Sequence, residues 1–202
     1  MKLYFSRGTC ALAVHIALYE TGLTFTTEAV DIRKKTTASG GDFRQVNPNG
    51  YVPVLELDDG ERLTEVTAVL QYVADQRPAA GLAPAAGTRE HYRLLQWLGF
   101  VSSELHKGYS PLFAPTTPEA YKVIVKERLA QRLGYVNGRL HDRPYLLGEG
   151  FSIADAYLFV IVGWSQHVGV DLSPHPQVQA FHARVSQRPA VQQAMQAEIP
   201  AQ

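Results

Sequence analysis

The chain has 202 residues, of which 46% are hydrophobic and 19% are charged, and its 19 basic residues balance its 19 acidic ones. This length is sufficient for one or two domains with hydrophobic cores. A net charge of zero gives no electrostatic reason to expect nucleic acid or an anionic membrane as a partner. The N-terminus has no leader-like pattern, and no apolar run reaches the roughly 18 residues that span a bilayer, so we expect a cytoplasmic protein.

The first third of the chain alternates strand-like and helix-like segments. Residues 2–5 are apolar and predict a short strand, and residues 25–30 alternate as a second strand does. Between them, apolar residues recur at spacings of three and four, which predicts an amphipathic helix that ends at Thr21 and Gly22. The members of that stripe are Leu12, His15, Ile16 and Tyr19.

A hairpin and a second helix follow. Residues 52–57 predict a strand, and an Asp-Asp-Gly turn leads from it into residues 62–64. A helix is predicted from Glu65, and its apolar face consists of Ala68, Val69, Tyr72 and Val73.

Helical periodicity dominates the rest of the chain. Proline and glycine punctuate residues 79–87, which we interpret as a linker between two domains. Beyond it, helices are predicted over residues 89–107, 118–140, 153–167 and 176–188. The prediction is therefore an α/β domain over residues 1–78 and an all-α domain over residues 88–202.

Cys10 is the single cysteine of the chain and lies directly before the first predicted helix. Helix N-termini carry unpaired N–H groups and partial positive charge, which favour the reactive thiolate. Because the chain cannot form an internal disulfide, any chemistry at Cys10 needs an external thiol or electrophile. A buried structural cysteine is the alternative that its position leaves open.

Pro53 stands near the start of an apolar strand, although proline cannot donate a ladder hydrogen bond. A cis Val52–Pro53 peptide bond would turn the backbone of Val52 outward, where it could pair with an extended peptide. From these residues alone, a trans proline that opens an ordinary strand is the commoner arrangement.

A series of motifs resembles the bacterial beta-class glutathione transferases, in order and over essentially the whole chain. After the strand, turn, cysteine and helix start, the motifs are residues 47–55 (NPNGYVPVL), residues 63–65 (LTE), Trp97, residues 103–108 (SELHKG) and residues 152–157 (SIADAY). Each motif alone is weakly specific. The ordered series, with a cysteine in the expected place, is specific.

The resemblance implies a thioredoxin-like α/β N-terminal domain, an all-α C-terminal domain, a cis bond before Pro53 and a homodimer. Glutathione would be a co-substrate bound between the domains, with neither a permanently bound cofactor nor a metal. Val52 would hold its cysteinyl backbone, while Glu65 and the backbone of Val66 would receive the γ-glutamyl end. The full set of implied glutathione contacts is Lys35, Val52, Pro53, Glu65, Val66, Gly99, Ser103 and His106.

The resemblance also implies that Cys10 and His106 are catalytic, with Cys10 meeting the glutathione sulfur. A neutral imidazole can relay a proton or donate to a thiolate, and α-helical geometry turns His106 about 100° away from Leu105. A solvated histidine at a helix end is the alternative, as a solvated basic run is for Lys35. The apolar second substrate is expected to contact Phe113, Trp164 and Val168, with core packing an open alternative for Trp164.

Several residues bear on binding and folding without a catalytic role. The family commonly has tyrosine at Phe5, serine at Ala11, serine or glycine at Val66 and asparagine at Gly99. A neutral hydrogen bond contributes ~0.5–1.5 kcal/mol, so the last three departures would weaken glutathione binding about tenfold to several hundredfold if nothing compensates. Ser152 and Asp155 predict a capping box at the start of a helix, which we assign to folding.

The sequence therefore predicts a detoxifying transferase that conjugates glutathione to small apolar electrophiles, or exchanges thiol and disulfide with them. Thiol transfer and reductive dehalogenation are variants of that chemistry. A non-catalytic binding or scaffold protein that kept the fold is the alternative. The sequence does not identify the electrophile, nor whether Cys10 acts as a nucleophile, a resolving thiol or a hydrogen-bond donor.

Overall fold

The structure is a computed structural model that describes residues 1–199, folded as two compact units. Among the described residues, the N-terminal unit comprises Met1–Ala83 together with a last segment, residues 188–199, and the helical unit is Pro84–Gln187. The sequence predicts instead that this last segment belongs to the all-α domain over residues 88–202. Residues 200–202 of that predicted domain lie outside the described residues.

Five strands form one mixed sheet in the N-terminal unit. They are β1 (Lys2–Phe5), β2 (Thr26–Asp31), β3 (Thr36–Thr37), β4 (Val54–Glu56) and β5 (Arg62–Leu63). In the order β3-β2-β1-β4-β5, β1 and β2 are parallel and all other neighbours are antiparallel. This arrangement confirms the thioredoxin-like fold class. The two residues of β3 escaped the sequence analysis because so short a strand shows no alternation.

Nine helices lie among the described residues. They are α1 (Ala11–Thr21), α2 (Val66–Gln76), α3 (Arg89–Phe100), α4 (Lys107–Phe113), α5 (Glu119–Arg139), α6 (Ile153–Gly163), α7 (Ser165–Val168), α8 (Pro176–Ser186) and α9 (Pro189–Ala197). Short 3₁₀ turns occur at Phe43–Gln45 and Pro78–Ala80, and a π-helical segment, Val101–His106, joins α3 to α4. The all-α character of the C-terminal fold is confirmed.

Three predicted helices differ from the structure. The one predicted over residues 153–167 is divided into α6 and α7. The helix predicted over residues 89–107 continues to Phe113 and passes through the π-helical segment. The one predicted over residues 176–188 ends at Ser186, and Pro189 then begins α9, since proline suits the first turn of a helix. Helix α9 packs against α1, which is why the last segment belongs to the N-terminal unit.

Helix α1 is buried on almost every side. Eight of its eleven residues are buried, including three alanines whose small side chains permit close packing. It packs against β1, α2 and α9. The predicted amphipathic helix is therefore wrong in one respect: the helix has no fully solvated face, because β1, α2 and α9 pack around it.

Helix α2 has a different apolar face from the one predicted. Its buried residues are Val66, Val69, Leu70, Val73 and Ala74, whereas Ala68 is exposed. The buried face therefore includes Leu70 and Ala74 in place of the predicted Ala68 and Tyr72. The shift leaves the first turn of α2 accessible, with Thr67 half-buried.

A buried carboxylate organises the start of α6. Asp155 is fully buried, and its side chain accepts hydrogen bonds from the backbone N–H of Ser152 at 2.9 Å and of Leu146 at 2.8 Å. The Ser152 hydroxyl also donates to it at 2.6 Å. The predicted capping box is present, and it additionally ties the preceding loop to the helix.

We expect Asp155→Ala to lower the free energy of unfolding by roughly 2–4 kcal/mol, because it removes a cap and leaves two buried N–H groups without an acceptor. Urea denaturation measures this. Asp171→Ala is the matched control: Asp171 also accepts from a backbone N–H, that of Ser173 at 2.8 Å, but it is exposed. Its removal should cost less than about 1 kcal/mol. Equal losses in the two variants would contradict the assignment.

Candidate active site

The Cys10 thiol lies at the N-terminal end of α1 and is 7% exposed. Its Sγ atom is 3.6 Å from the carbonyl oxygen of Val52, to which the thiol donates. This contact joins two segments of the N-terminal unit that are 42 residues apart in sequence. The candidate nucleophile and the candidate peptide-binding backbone therefore meet within one unit.

The turn before Cys10 is held by its own side chains. The Thr9 hydroxyl donates to the Ser6 carbonyl at 2.7 Å and accepts the Ala11 N–H at 3.3 Å, so it satisfies the first backbone N–H of α1. Gly8 has a φ of 71°, a conformation that favours glycine. These interactions fix the position of Cys10 on the helix end.

Glu198 ties the same turn to the end of the chain. It is 5% exposed, and its carboxylate accepts the Gly8 N–H at 3.3 Å and lies 3.3 Å from Nδ1 of the fully buried His15. Burial of a carboxylate is tolerated when partners of this kind replace water. The sequence analysis missed Glu198, because a single acidic residue just after a short helix belongs to no motif.

The Val52–Pro53 peptide bond is cis, as the resemblance implied. Val52 packs against a small apolar cluster on one face of the sheet, formed by Tyr4, Val30, Phe43 and Val54. Among the described residues, the Val52 N–H has no hydrogen-bond partner. The backbone of Val52 is thus held in place with its amide available to a ligand.

A network of polar groups shapes the loop that leads to Val52. The buried Asn47 side chain donates to the Tyr51 carbonyl at 2.8 Å and accepts the Asn49 N–H at 3.1 Å. The Lys35 ammonium donates to the Gly50 carbonyl at 2.7 Å and lies 5.3 Å from the centre of the Tyr51 ring. The charge of Lys35, which the sequence assigned to a glutathione carboxylate, lies against this loop.

Glu65 precedes α2 in an unusual backbone conformation, with φ 64° and ψ 120°. Such a conformation costs a non-glycine residue about 1–3 kcal/mol and is concentrated at functional sites. The Glu65 side chain is exposed, and no acidic residue occupies the first turn of α2. A free helix N-terminus beside an exposed carboxylate can receive both the carboxylate and the ammonium of an α-amino acid.

His106 is the last residue of the π-helical segment. Its Nδ1 lies 2.6 Å from the Tyr157 hydroxyl, and its ring packs edge-to-face against Trp164 with centroids 5.0 Å apart. Burial, helped by the neighbouring charge of Lys107, lowers the pKa of His106 to about 4. The α-helical angle used in the sequence analysis does not apply to a π-helix, a form that is frequent at functional sites.

The remaining predicted site residues also lie in the helical unit. Phe113 is 48% exposed and meets the half-buried Trp164 edge-to-face at 5.3 Å, while Val168 is half-buried one turn beyond Trp164. The structure thus brings together His106, Trp164 and Phe113. The hydroxyl of the exposed Ser103 donates to the carbonyl of Gly99 at 3.0 Å.

Phe5, Ala11 and Gly99, which depart from the family pattern, differ in their surroundings. Phe5 is buried, and its ring lies 5.6 Å from that of His15, so this position is part of an apolar cluster. The phenol of Tyr4 is directed elsewhere and lies 3.4 Å from the Glu56 carboxylate. Ala11 is fully buried, whereas a Cβ added at Gly99 would meet no atom within 4 Å.

Comparisons with known proteins place the chain in a family. Residues 8–76 match the N-terminal domain model of glutathione S-transferases, and residues 100–189 match the C-terminal domain model. The chain is 44% identical over 198 residues to the glutathione S-transferase GstA of Escherichia coli O157:H7, with 98% of each chain covered.

Solved structures agree with this match. The ternary complex of BphK, a bacterial GST, is 56% identical, has a TM-score of 0.97 and covers 98% of this chain and 99% of its own. A sphingomonad glutathione S-transferase complexed with glutathione is 47% identical, with a TM-score of 0.96 and full coverage of both chains. The chain belongs to the glutathione S-transferase family, and its resemblance to the bacterial beta class is confirmed.

Two kinds of feature are absent from the part of the chain that the structure describes. In residues 1–199 no helix has the length and apolar character needed to cross a membrane. The same residues contain no cluster of three or more histidine, cysteine, aspartate or glutamate side chains arranged to hold a metal ion.

We expect acidification from pH 6.5 towards 4 to destabilise the wild type more than His106→Gln. The pKa of His106 is about 4 in the folded protein and 6.5 ordinarily, so in this window the unfolded chain binds a proton that the folded chain does not. The free energy of unfolding therefore falls as the pH is lowered. Urea denaturation at several pH values measures the slope.

Other histidines do not obscure this comparison. Burial also lowers the pKa values of His175 and His182, but both residues remain in the wild type and in the variant. Substitution of the exposed His141 by glutamine is the control for replacing a surface imidazole by an amide. A slope as steep in His106→Gln as in the wild type would contradict the prediction.

Proposed function

We propose that this protein is a transferase that binds glutathione on its N-terminal unit and reacts through Cys10. It would conjugate glutathione to small apolar electrophiles, or exchange thiol and disulfide with a glutathione disulfide. The 3.6 Å contact between Cys10 Sγ and the Val52 carbonyl oxygen carries the proposal, because it puts a thiol beside backbone suited to pair with the cysteinyl residue of glutathione.

Recognition of the γ-glutamyl end follows from the start of α2. Glutathione carries an ammonium and a carboxylate on the same carbon at that end. The exposed Glu65 side chain would pair with the ammonium, and the N–H groups from Val66 onward would receive the carboxylate. The cost of the Glu65 backbone conformation is consistent with a position selected for binding.

Pro53 would contribute to this site through its place in the chain, between Val52 and β4. Lys35 would contribute through the loop that it holds, and its ammonium would be available to a glutathione carboxylate beside Tyr51. Ser103 and Gly99 remain predicted contacts of glutathione.

The exchange reaction balances with glutathione disulfide as the named oxidant. The Cys10 thiolate attacks one sulfur, the disulfide bond breaks, and a glutathione thiolate leaves, so that Cys10 ends in a mixed disulfide. A second glutathione thiolate reverses the step. In conjugation, glutathione loses its thiol proton to solvent, and the thiolate sulfur forms a bond to the electrophilic carbon while the leaving group, such as chloride, departs with its electron pair.

The helical unit would supply the second substrate's contacts. Trp164 and Phe113 present aromatic surface beside His106, which suits the ring of an apolar electrophile. His106 is neutral at physiological pH and can donate a hydrogen bond to a sulfur or a leaving group. The homodimer also belongs to this proposal: Tyr92, Leu95 and Tyr135 expose apolar surface on α3 and α5.

Incubation with glutathione disulfide should add one glutathionyl group to the chain, visible as a single increment in the intact mass and removed by a reductant. Because the sequence has one cysteine, Cys10→Ala should show no adduct. Wild-type protein unfolded in urea is the matched control and should react more slowly, since it lacks the ordered site. Equal rates for folded and unfolded protein would contradict the proposal that the folded site accelerates the reaction of Cys10.

Binding and turnover separate the enzyme from a non-catalytic relative. Saturating glutathione should raise the melting temperature, since a ligand at 100 times its Kd stabilises the folded state by about 2.7 kcal/mol. Glutathione and 1-chloro-2,4-dinitrobenzene should give conjugate above the uncatalysed rate. An unmoved melting temperature with no turnover and no adduct would favour the scaffold alternative.

A further inference from the structure

A short hydrogen bond joins His106, one of the two predicted catalytic residues, to Tyr157. The His106 Nδ1 and the Tyr157 hydroxyl oxygen are 2.6 Å apart, and the two rings meet edge-to-face at a centroid distance of 5.8 Å. Tyr157 is 1% exposed and belongs to α6, two residues after the buried Asp155 that caps this helix. The phenol is therefore held in a fixed position by a well-anchored element.

The chemistry of the two groups decides which atom owns the proton between them. A phenol, with a pKa of about 10, is a stronger acid than the N–H of a neutral imidazole, and an imidazole nitrogen is a far stronger base than a phenol oxygen. The favoured arrangement is O–H donating to nitrogen. A neutral imidazole has one protonated nitrogen, so when Nδ1 accepts, the proton must be on Nε2.

We propose that Tyr157 is a positioning residue that donates to Nδ1 of His106 and thereby fixes the tautomer with the proton on Nε2. The catalytic consequence rests on the function proposed above. It assigns His106 the role of a neutral donor through Nε2, which can stabilise a thiolate or a departing anion but cannot take a proton from glutathione through that atom.

Trp164 restricts the orientation of the His106 imidazole from a second side. Its ring meets that of His106 at 74° and 5.0 Å, so the imidazole is held between a hydrogen bond to α6 and an aromatic edge at the end of the same helix. A 180° flip of the ring would put the carbon Cδ2 in the place of Nδ1 and lose the hydrogen bond to Tyr157. One orientation of His106 is therefore favoured over the other.

The tautomer can be read from the nitrogen chemical shifts of His106 in the ligand-free protein. Long-range ¹H–¹⁵N spectra distinguish a protonated ring nitrogen from an unprotonated one, and His106→Gln assigns the signals. We expect Nε2 to be protonated and Nδ1 to be a hydrogen-bond acceptor in the wild type. In Tyr157→Phe, both shifts should move towards the average of two exchanging tautomers.

Tyr109→Phe is the matched control. It removes another buried hydroxyl of the helical unit, one that lies 2.6 Å from the Ser165 hydroxyl, and its ring also meets Trp164. This variant should leave the His106 shifts unchanged. A shift common to both variants would indicate general loosening of the helical unit and would overturn the specific role of Tyr157.

Kinetics test the catalytic consequence. With glutathione and 1-chloro-2,4-dinitrobenzene, Tyr157→Phe should lower kcat roughly tenfold and change the KM for glutathione less than about twofold, because one transition-state hydrogen bond is affected. Adding Tyr157→Phe to His106→Gln should have no further effect on kcat. An additive loss would contradict action through His106.

The two proposals fail in distinguishable ways. A wild-type spectrum with the proton on Nδ1 overturns the role of Tyr157 even if the enzyme turns over, and this spectrum does not depend on whether Tyr157→Phe folds. Absence of glutathione binding and turnover, with the tautomer on Nε2 as expected, overturns the proposed function alone.

Discussion

The enclosure of helix α1 is the constraint on which the candidate site depends. A helix buried by the sheet, α2 and α9 cannot slide or rotate, so the thiol at its N-terminal end has a defined position. Glu198 extends this constraint to the preceding turn by accepting the Gly8 N–H while it meets the buried His15. The end of the chain thus contributes to the geometry of a residue near its beginning.

The two units supply different chemistry. The N-terminal unit presents a thiol, the amide of Val52 and the start of α2, which together suit a peptide that carries a thiol and an α-amino acid end. The helical unit presents a neutral imidazole with aromatic neighbours, which suits an apolar second reactant. The π-helical segment matters here because it determines how His106 is directed relative to α6.

Much of this could be predicted from the sequence, because hydrophobic periodicity and turn residues identified β1, β2, the hairpin and most helices. The enclosure of α1 could not, since a local pattern does not show that α9 packs against this helix. The π-helical segment has no sequence signal distinct from a helix, and Glu198 is ordinary in composition. Cys10 was identifiable by its place before a helix, but its contact with Val52 joins residues distant in sequence.

A crystal structure of the protein grown with glutathione tests the central claim most directly. The account predicts that the cysteinyl backbone of glutathione pairs with Val52, that its α-carboxylate lies on the first turn of α2, and that its sulfur is within van der Waals contact of, or bonded to, Cys10 Sγ. Glutathione bound with its sulfur remote from Cys10, or with its γ-glutamyl end away from Glu65, would contradict the account.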